Sequence, residues 1–188
     1  MTFQDETLEL TKVLAELEGA TGKALARAVE AVCRSLRAGG KLLIFGNGGS
    51  AAEAQHFAAE LVNKFRAVRP AIRALALTTD TSVLTSVGND LAFDQVFSRQ
   101  VEALGDRGDV ALALSTSGVS PNVLHAVKTA KRLGLVSVGF TGRNGGPLAG
   151  LVDHWLAVPS DQTPRVQEAH LFLLHRLALE VEACLFKS

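Results

Sequence analysis

The chain has 188 residues, 47% of them apolar, which suits one domain with a sizeable core and argues against disorder. Its 19 Lys and Arg residues balance 19 Asp and Glu, and no basic block stands out. That balance disfavours nucleic acid or an anionic membrane surface as the main partner.

The start, Met1-Thr-Phe-Gln-Asp-Glu, is acidic and has neither the basic nor the apolar region of a signal peptide. No apolar run approaches the roughly 20 residues of a membrane span. A soluble cytoplasmic protein is expected. Cys33 and Cys184 fall in helical patterns without CxxC spacing, so they read as packed or free thiols rather than a bridge or a zinc site.

Residues 3–38 read as two helices separated by Gly19-Ala-Thr-Gly22. Leu10, Val13, Leu14 and Leu17 keep one helical stripe, and Leu25, Val29, Val32 and Leu36 keep another. The pair either caps the sheet that follows or packs on another subunit. Gly39-Gly40 ends it. Strands and helices then alternate. Strands are predicted near 41–45, 73–78, 109–114, 135–140 and 154–158, and helices near 50–65, 81–87, 93–104, 121–133 and 164–186. The strands are nearly continuous apolar runs, as in a sheet covered on both faces. The expected fold is α/β: a three-layer αβα sandwich with a parallel five-stranded sheet and an N-terminal helical pair. No repeat, low-complexity tract or linker divides the chain, so a single domain over 1–188 is expected.

Two turns carry the chemistry. Lys41 to Phe45 is a strand, Gly46-Asn47-Gly48-Gly49-Ser50 follows it, and a helix begins. Backbone N–H groups at a helix start are unpaired and partly positive, so they attract anions such as phosphate. The second turn, Ser115-Thr116-Ser117-Gly118-Val119-Ser120-Pro121, follows the strand ending at Leu114. Ser120 fits a helix N-cap and Pro121 the first helical position. In parallel sheets ligands bind outside the carboxyl ends of the strands. Both turns lie there, so together they suggest one phosphorylated ligand.

His56 and Glu60 are four apart on the helix after the first turn and share a face. Gln167 and His175, eight apart on the last helix, share another. Taken singly, such residues are ordinary surface or packing polar groups, and the same holds for His170. In combination, His56, Glu60, His175 and Gln167 form an N/O donor set that suits a divalent metal such as zinc, and the carboxylate and imidazole suit proton transfer. Arg66 and Arg69 read as solvated charges near Pro70. Asn89-Asp90 after Gly88 reads as a turn, and Gly142 to Pro147 as a loop.

The segment Gly46 to Ala51 also fits the loose dinucleotide pattern G-x-G-x-x-G/A. That pattern wants an acidic residue roughly 20 positions on, at the end of the second strand. Here that strand ends farther along, at Thr78-Thr79-Asp80. No Gly-Lys-Ser/Thr follows, so this is not a Walker loop.

GNGGSAAEAQHFAAEL, LTTDTS, VGNDLAFDQVFSRQVEALG, STSGVSPNV and PSDQTPRVQEAHLFLLH together resemble the phosphoheptose isomerases of the sugar isomerase (SIS) superfamily. The resemblance implies conversion of sedoheptulose 7-phosphate to D-glycero-D-manno-heptose 7-phosphate through an enediol. It implies substrate contacts at Asn47, Gly48, Gly49, Glu60, Asn89, Asp90, Ser115, Thr116, Ser117, Ser120 and Gln167, the serine turn holding the phosphate. It implies zinc on His56, Glu60, Gln167 and His175, and a homotetramer. For the proton transfer, Glu60 is the expected carbon base and His175 the partner acid/base. Val119 and Pro164 depart from the residues common in the family. A relative that binds the bacterial replication initiator lacks the serine matching Ser117 and the histidine matching His175. This chain keeps both.

Overall fold

The computed structural model describes residues 2–186. Two helices open the chain, α1 (Phe3–Glu16) and α2 (Ala20–Arg37). The break lies at Leu17–Gly19, so Gly22 falls inside α2 rather than in the connection. Then come β1 (Leu42–Gly46), α3 (Gly49–Val62), β2 (Ala74–Ala76), α4 (Thr81–Asp90), a 3-10 turn (Phe93–Gln95), α5 (Ser98–Leu104) and β3 (Val110–Leu114). The remainder is α6 (Pro121–Leu133), β4 (Val136–Thr141), α7 (Gly146–Ala149), β5 (His154–Ala157) and α8 (Thr163–Phe186).

The sheet is wholly parallel, in the order β2-β1-β3-β4-β5. The expected αβα sandwich is therefore what forms. Period-two alternation splits the strand side chains between two cores. Leu42, Ile44, Leu112, Leu114, Val138 and Phe140 pack with α2, α3 and α8. Leu43, Phe45, Ala111 and Ala113 pack with α5 and α6 on the other face. The N-terminal pair lies in the first layer, and Thr21 on α2 donates a 2.6 Å hydrogen bond to the Ala157 carbonyl of β5.

After β2 the chain crosses to the far side of β1, so the winding reverses between β1 and β3. Such a switch point opens a crevice at the carboxyl edge of a parallel sheet. The loops that follow β1 and β3 flank it.

Several predicted boundaries are corrected. The helix expected over 93–104 is interrupted, because Ser98 Oγ donates to the Gln95 carbonyl and the Gln100 amide donates to the carbonyls of Val96 and Leu77. These side chains draw carbonyls out of the helical ladder. Asn89 and Asp90 close α4 instead of forming a turn, since Leu91 N–H still reaches the Val87 carbonyl at 3.1 Å. The loop expected at 142–147 spans 142–145, and its last two residues enter the short α7. The helix expected to run to 65 stops at Val62, where Arg69 takes its last carbonyls, Glu60 at 2.8 Å and Leu61 at 2.6 Å. Arg69 is thus not a solvated charge. Its side chain is 2% exposed and pairs with Glu182 at 3.1 Å. Arg66 does stay exposed, over the ring of Phe65. Cys33 and Cys184 are free thiols, as expected.

Candidate active site

The first turn is shaped by two glycines. Gly48 has φ 54°, a left-handed backbone that glycine adopts without strain, and it starts α3 with no side-chain cap. A Cβ on Gly49 would overlap the Gln167 amide, so glycine here lets α8 approach the start of α3. With no capping side chain, the first N–H groups of α3 face the crevice.

The second turn starts α6. Ser120 holds the N-cap position and Pro121 the first helical position, as predicted. The Ser120 hydroxyl makes no cap bond. It lies 3.3 Å from the Ser115 hydroxyl, which accepts the Gly118 N–H at 3.1 Å. Ser117 is exposed, and its hydroxyl accepts the Val119 N–H at 3.4 Å. Thr116 is anchored through its carbonyl, which accepts the Gly142 N–H at 2.9 Å.

A residue that sequence reasoning missed ties the turns together. Asn47 Nδ2 donates to Asn122 Oδ1 at 2.9 Å, and Asn122 Nδ2 donates to Asn47 Oδ1 at 2.8 Å. Asn122 is 3% exposed and also accepts the Val123 N–H. Its place in the first turn of α6, just after Pro121, was the only available signal. A hollow at this junction is lined by Asn47, Phe93, Asp94, Ser120, Pro121 and Asn122.

The acid–imidazole group forms where α3 meets α8. His56 Nε2 and His175 Nε2 are 2.8 Å apart, one ring donating to the other. Glu60 Oε1 is 3.6 Å from His56 Nε2. The His175 ring stacks on Phe65 at 5.3 Å between centroids. Burial holds the His175 pKa below the ordinary histidine value, His56 pushes it the same way, and Glu60 opposes both. His175 is therefore neutral near pH 7 and able to accept a proton. Gln167, also on α8, lies against Gly49 at the start of α3, and among the described residues no hydrogen bond joins it to His56, Glu60 or His175.

These donors fit a zinc ion in kind: two imidazole nitrogens, a carboxylate and an amide oxygen. Among the described residues no three His, Cys, Asp or Glu side chains stand ready to hold a metal. Two zinc–nitrogen bonds at a tetrahedral angle would separate the nitrogens by ~3.3 Å, so the 2.8 Å pair must open slightly to admit an ion.

Asn89 and Asp90 are exposed, and Asn89 Nδ2 donates to Asp90 Oδ1 at 2.7 Å. Among the described residues no hydrogen bond joins them to the two turns. Asp80, the acidic residue nearest to a dinucleotide pattern, caps α4 by accepting the Val83 N–H at 3.0 Å. That role leaves the dinucleotide reading without its ribose contact.

Comparison with known proteins places this geometry. The SIS domain family model matches residues 7–142. A phosphoheptose isomerase of Paramagnetospirillum magneticum is 53% identical over 183 residues, covering 97% of this chain and 95% of the relative. One from Campylobacter jejuni is 52% identical over 174 residues, covering 93% of each. The solved structure of the phosphoheptose isomerase of Neisseria gonorrhoeae superposes with a TM-score of 0.90 at 42% identity, covering 97% of this chain and 100% of that one. The chain belongs to the phosphoheptose isomerases of the SIS domain family.

Proposed function

We propose that this chain is an aldose–ketose isomerase that converts sedoheptulose 7-phosphate to D-glycero-D-manno-heptose 7-phosphate. The observation that carries the reading is the meeting of His56, Glu60 and His175 on α3 and α8, beside a sheet edge that also presents two helix starts without side-chain caps, one glycine-rich and one hydroxyl-rich. Phosphate suits the second turn, where Ser115, Thr116, Ser117 and Ser120 offer hydroxyls beside the start of α6. Asn47, Gly48, Gly49, Asn89, Asp90 and Gln167 are assigned to the sugar on the family's pattern.

The reaction moves one proton between adjacent carbons. Glu60 removes it from C1 of the ketose and returns it to C2 of the enediol. His175, neutral at the start, passes a proton between O1 and O2. His56, Glu60, Gln167 and His175 would hold a zinc ion. When bound, zinc polarises the substrate carbonyl and stabilises negative charge on the enediolate oxygens. The same ion lowers the basicity of Glu60, so its two duties compete.

No helix is long and apolar enough to cross a membrane among the described residues, and a cytoplasmic enzyme is the reading we adopt. A homotetramer is proposed as well. A groove between α1, α2 and α8, lined by Leu14, Leu25 and Phe172 together with the charged Glu18, Arg176 and Glu180, offers a mixed face to a second copy. Light scattering tests the assembly.

Incubating the protein with sedoheptulose 7-phosphate, with and without added zinc, and following the aldose by NMR tests the activity. Saturable binding of the sugar phosphate without aldose formation in either condition would reject catalysis and leave a sugar-phosphate-binding module.

A further inference from the structure

Facing residues step along α3 and α8 in the same direction, from Gly49 against Gln167, through His56 against His175, to the loop beyond α3, whose Phe65 N–H is accepted by Glu182 at 2.8 Å. One rung has no role in the chemistry above. Glu53 on α3 and His170 on α8 face each other, with Glu53 Oε2 3.9 Å from His170 Nδ1. His170 is fully buried and Glu53 is 9% exposed. Glu53 Oε2 and both ring nitrogens of His170 have no hydrogen-bond partner. Phe140 and the imidazole meet edge to face, with 5.7 Å between centroids, and the Thr141 backbone acts on the ring to raise its pKa, against the larger effect of burial.

Buried, unpartnered polar atoms are costly, and two apolar side chains would fill this seam at less cost. The contact is no salt bridge. Burial pushes the Glu53 carboxyl up to about 7 and the His170 ring down to about 4. The ring is therefore uncharged near pH 7. An acid and an imidazole roughly 1 Å beyond bonding distance are left facing each other.

We propose that Glu53 and His170 are positioning residues of the isomerase site, a facing carboxyl–imidazole pair that sets the spacing of α3 and α8 where those helices present Glu60 and His175. This rests on the roles given to Glu60 and His175 above. Glu53 lies seven residues before Glu60, close to the same face of α3, and His170 lies five residues before His175. Closing the 3.9 Å gap by about 1 Å would let a carboxyl O–H donate to Nδ1, or Nδ1–H donate to the carboxylate.

The test is steady-state kinetics on sedoheptulose 7-phosphate with the full chain. Glu53→Ala should lower kcat by about 10–100-fold, the usual cost of removing a residue that orients an active group, with KM changed by less than about threefold. Glu53→Gln keeps a hydrogen-bonding amide and should restore kcat to within about threefold of the parent. Glu53→Ala combined with His170→Ala should lose no more than the worse single variant, because the two act as one unit. Fully additive losses, or an effect on KM alone, would overturn the pairing. Should the alanine variants fail to fold, Glu53→Leu with His170→Phe fills the seam without polar atoms. Parental kcat in that folded double variant would equally end the proposal. A parent that itself turns over no substrate would sink the functional reading instead, and is read separately.

Discussion

Asn47 and Asn122 exchange two amide hydrogen bonds, at 2.9 and 2.8 Å, across the 75 residues between the two ligand-facing turns. The exchange makes the glycine turn and the serine turn one unit. Asn122 Oδ1 is fully used, since it also accepts the Val123 N–H, but the Asn47 amide still has one N–H and one lone pair to offer, so Asn47 can hold the sugar while anchored to α6. Asn122→Ala removes both bonds and leaves the Asn47 amide half-buried and unpaired. It should cost about 1–3 kcal/mol in urea unfolding and raise KM for the sugar phosphate. A double-mutant cycle with Asn47→Ala should give a coupling of roughly 0.5–3 kcal/mol; independent effects would show that the turns are held apart from this contact.

Glu60→Gln and His175→Ala each remove a proton-transfer group. Each should lower kcat by about 10²–10⁴-fold, the usual contribution of a general acid or base. Binding of the sugar phosphate, followed by calorimetry, should survive. Near-parental turnover in either variant would take these two side chains out of the reaction.

Much of this was legible in the sequence because its signals are local. The strands at 41–45 and 109–114 announce themselves as apolar runs; the observed β3 lies within its prediction, and β1 is offset by one residue. The first turn carries glycines just before its helix and the second a serine and a proline, as helix starts favour. The missed contacts are long-range pairs: Asn47 with Asn122, Glu53 with His170, Arg69 with Glu182. None leaves a periodic trace. Arg69 sits in a polar stretch beside a proline and looks solvated, yet its guanidinium is the C-terminal cap of α3. His170 could have been suspected. It falls in register with Val166, Leu173, Leu174 and Leu177, all buried, so it sits on the apolar stripe of α8.

Zinc should bind in a ratio of one ion per chain, measured by elemental analysis after dialysis. His56→Ala removes an imidazole donor while leaving the serine turn untouched. It should lose the ion and raise its dissociation constant about 10-fold or more, whereas phosphate binding persists. Equal zinc content in the variant and the parent would place the ion elsewhere.

Ser117→Ala tests the phosphate turn. The hydroxyl is exposed and its one partner is the Val119 N–H at 3.4 Å, so folding should hardly suffer. A charge-assisted bond to phosphate is worth about 1–3 kcal/mol, which corresponds to a rise in KM of roughly 5–150-fold with kcat little changed. An unchanged KM would remove Ser117 from the phosphate site.

The buried pair also predicts how stability follows pH. His170 titrates near 4 when folded, below its ordinary 6.5. Between those values the unfolded chain binds the proton more readily, so this residue makes stability fall as pH drops from 6.5 to 4, by about 3 kcal/mol in all. Glu53 works in the opposite sense. It holds its proton up to about 7 when folded, against 4.5 ordinarily. Stability is therefore lost as pH rises from 4.5 to 7, by about 1–3 kcal/mol once partial solvent screening is allowed for. Between pH 4.5 and 6.5 the two slopes offset each other. Glu53→Gln removes one of them, so its stability relative to the parent should climb with pH through that window in urea unfolding. His170→Phe should gain on the parent as pH falls. Curves that stay parallel to the parent's in both variants would mean that neither group changes its proton affinity on folding, and that the seam between α3 and α8 is wet.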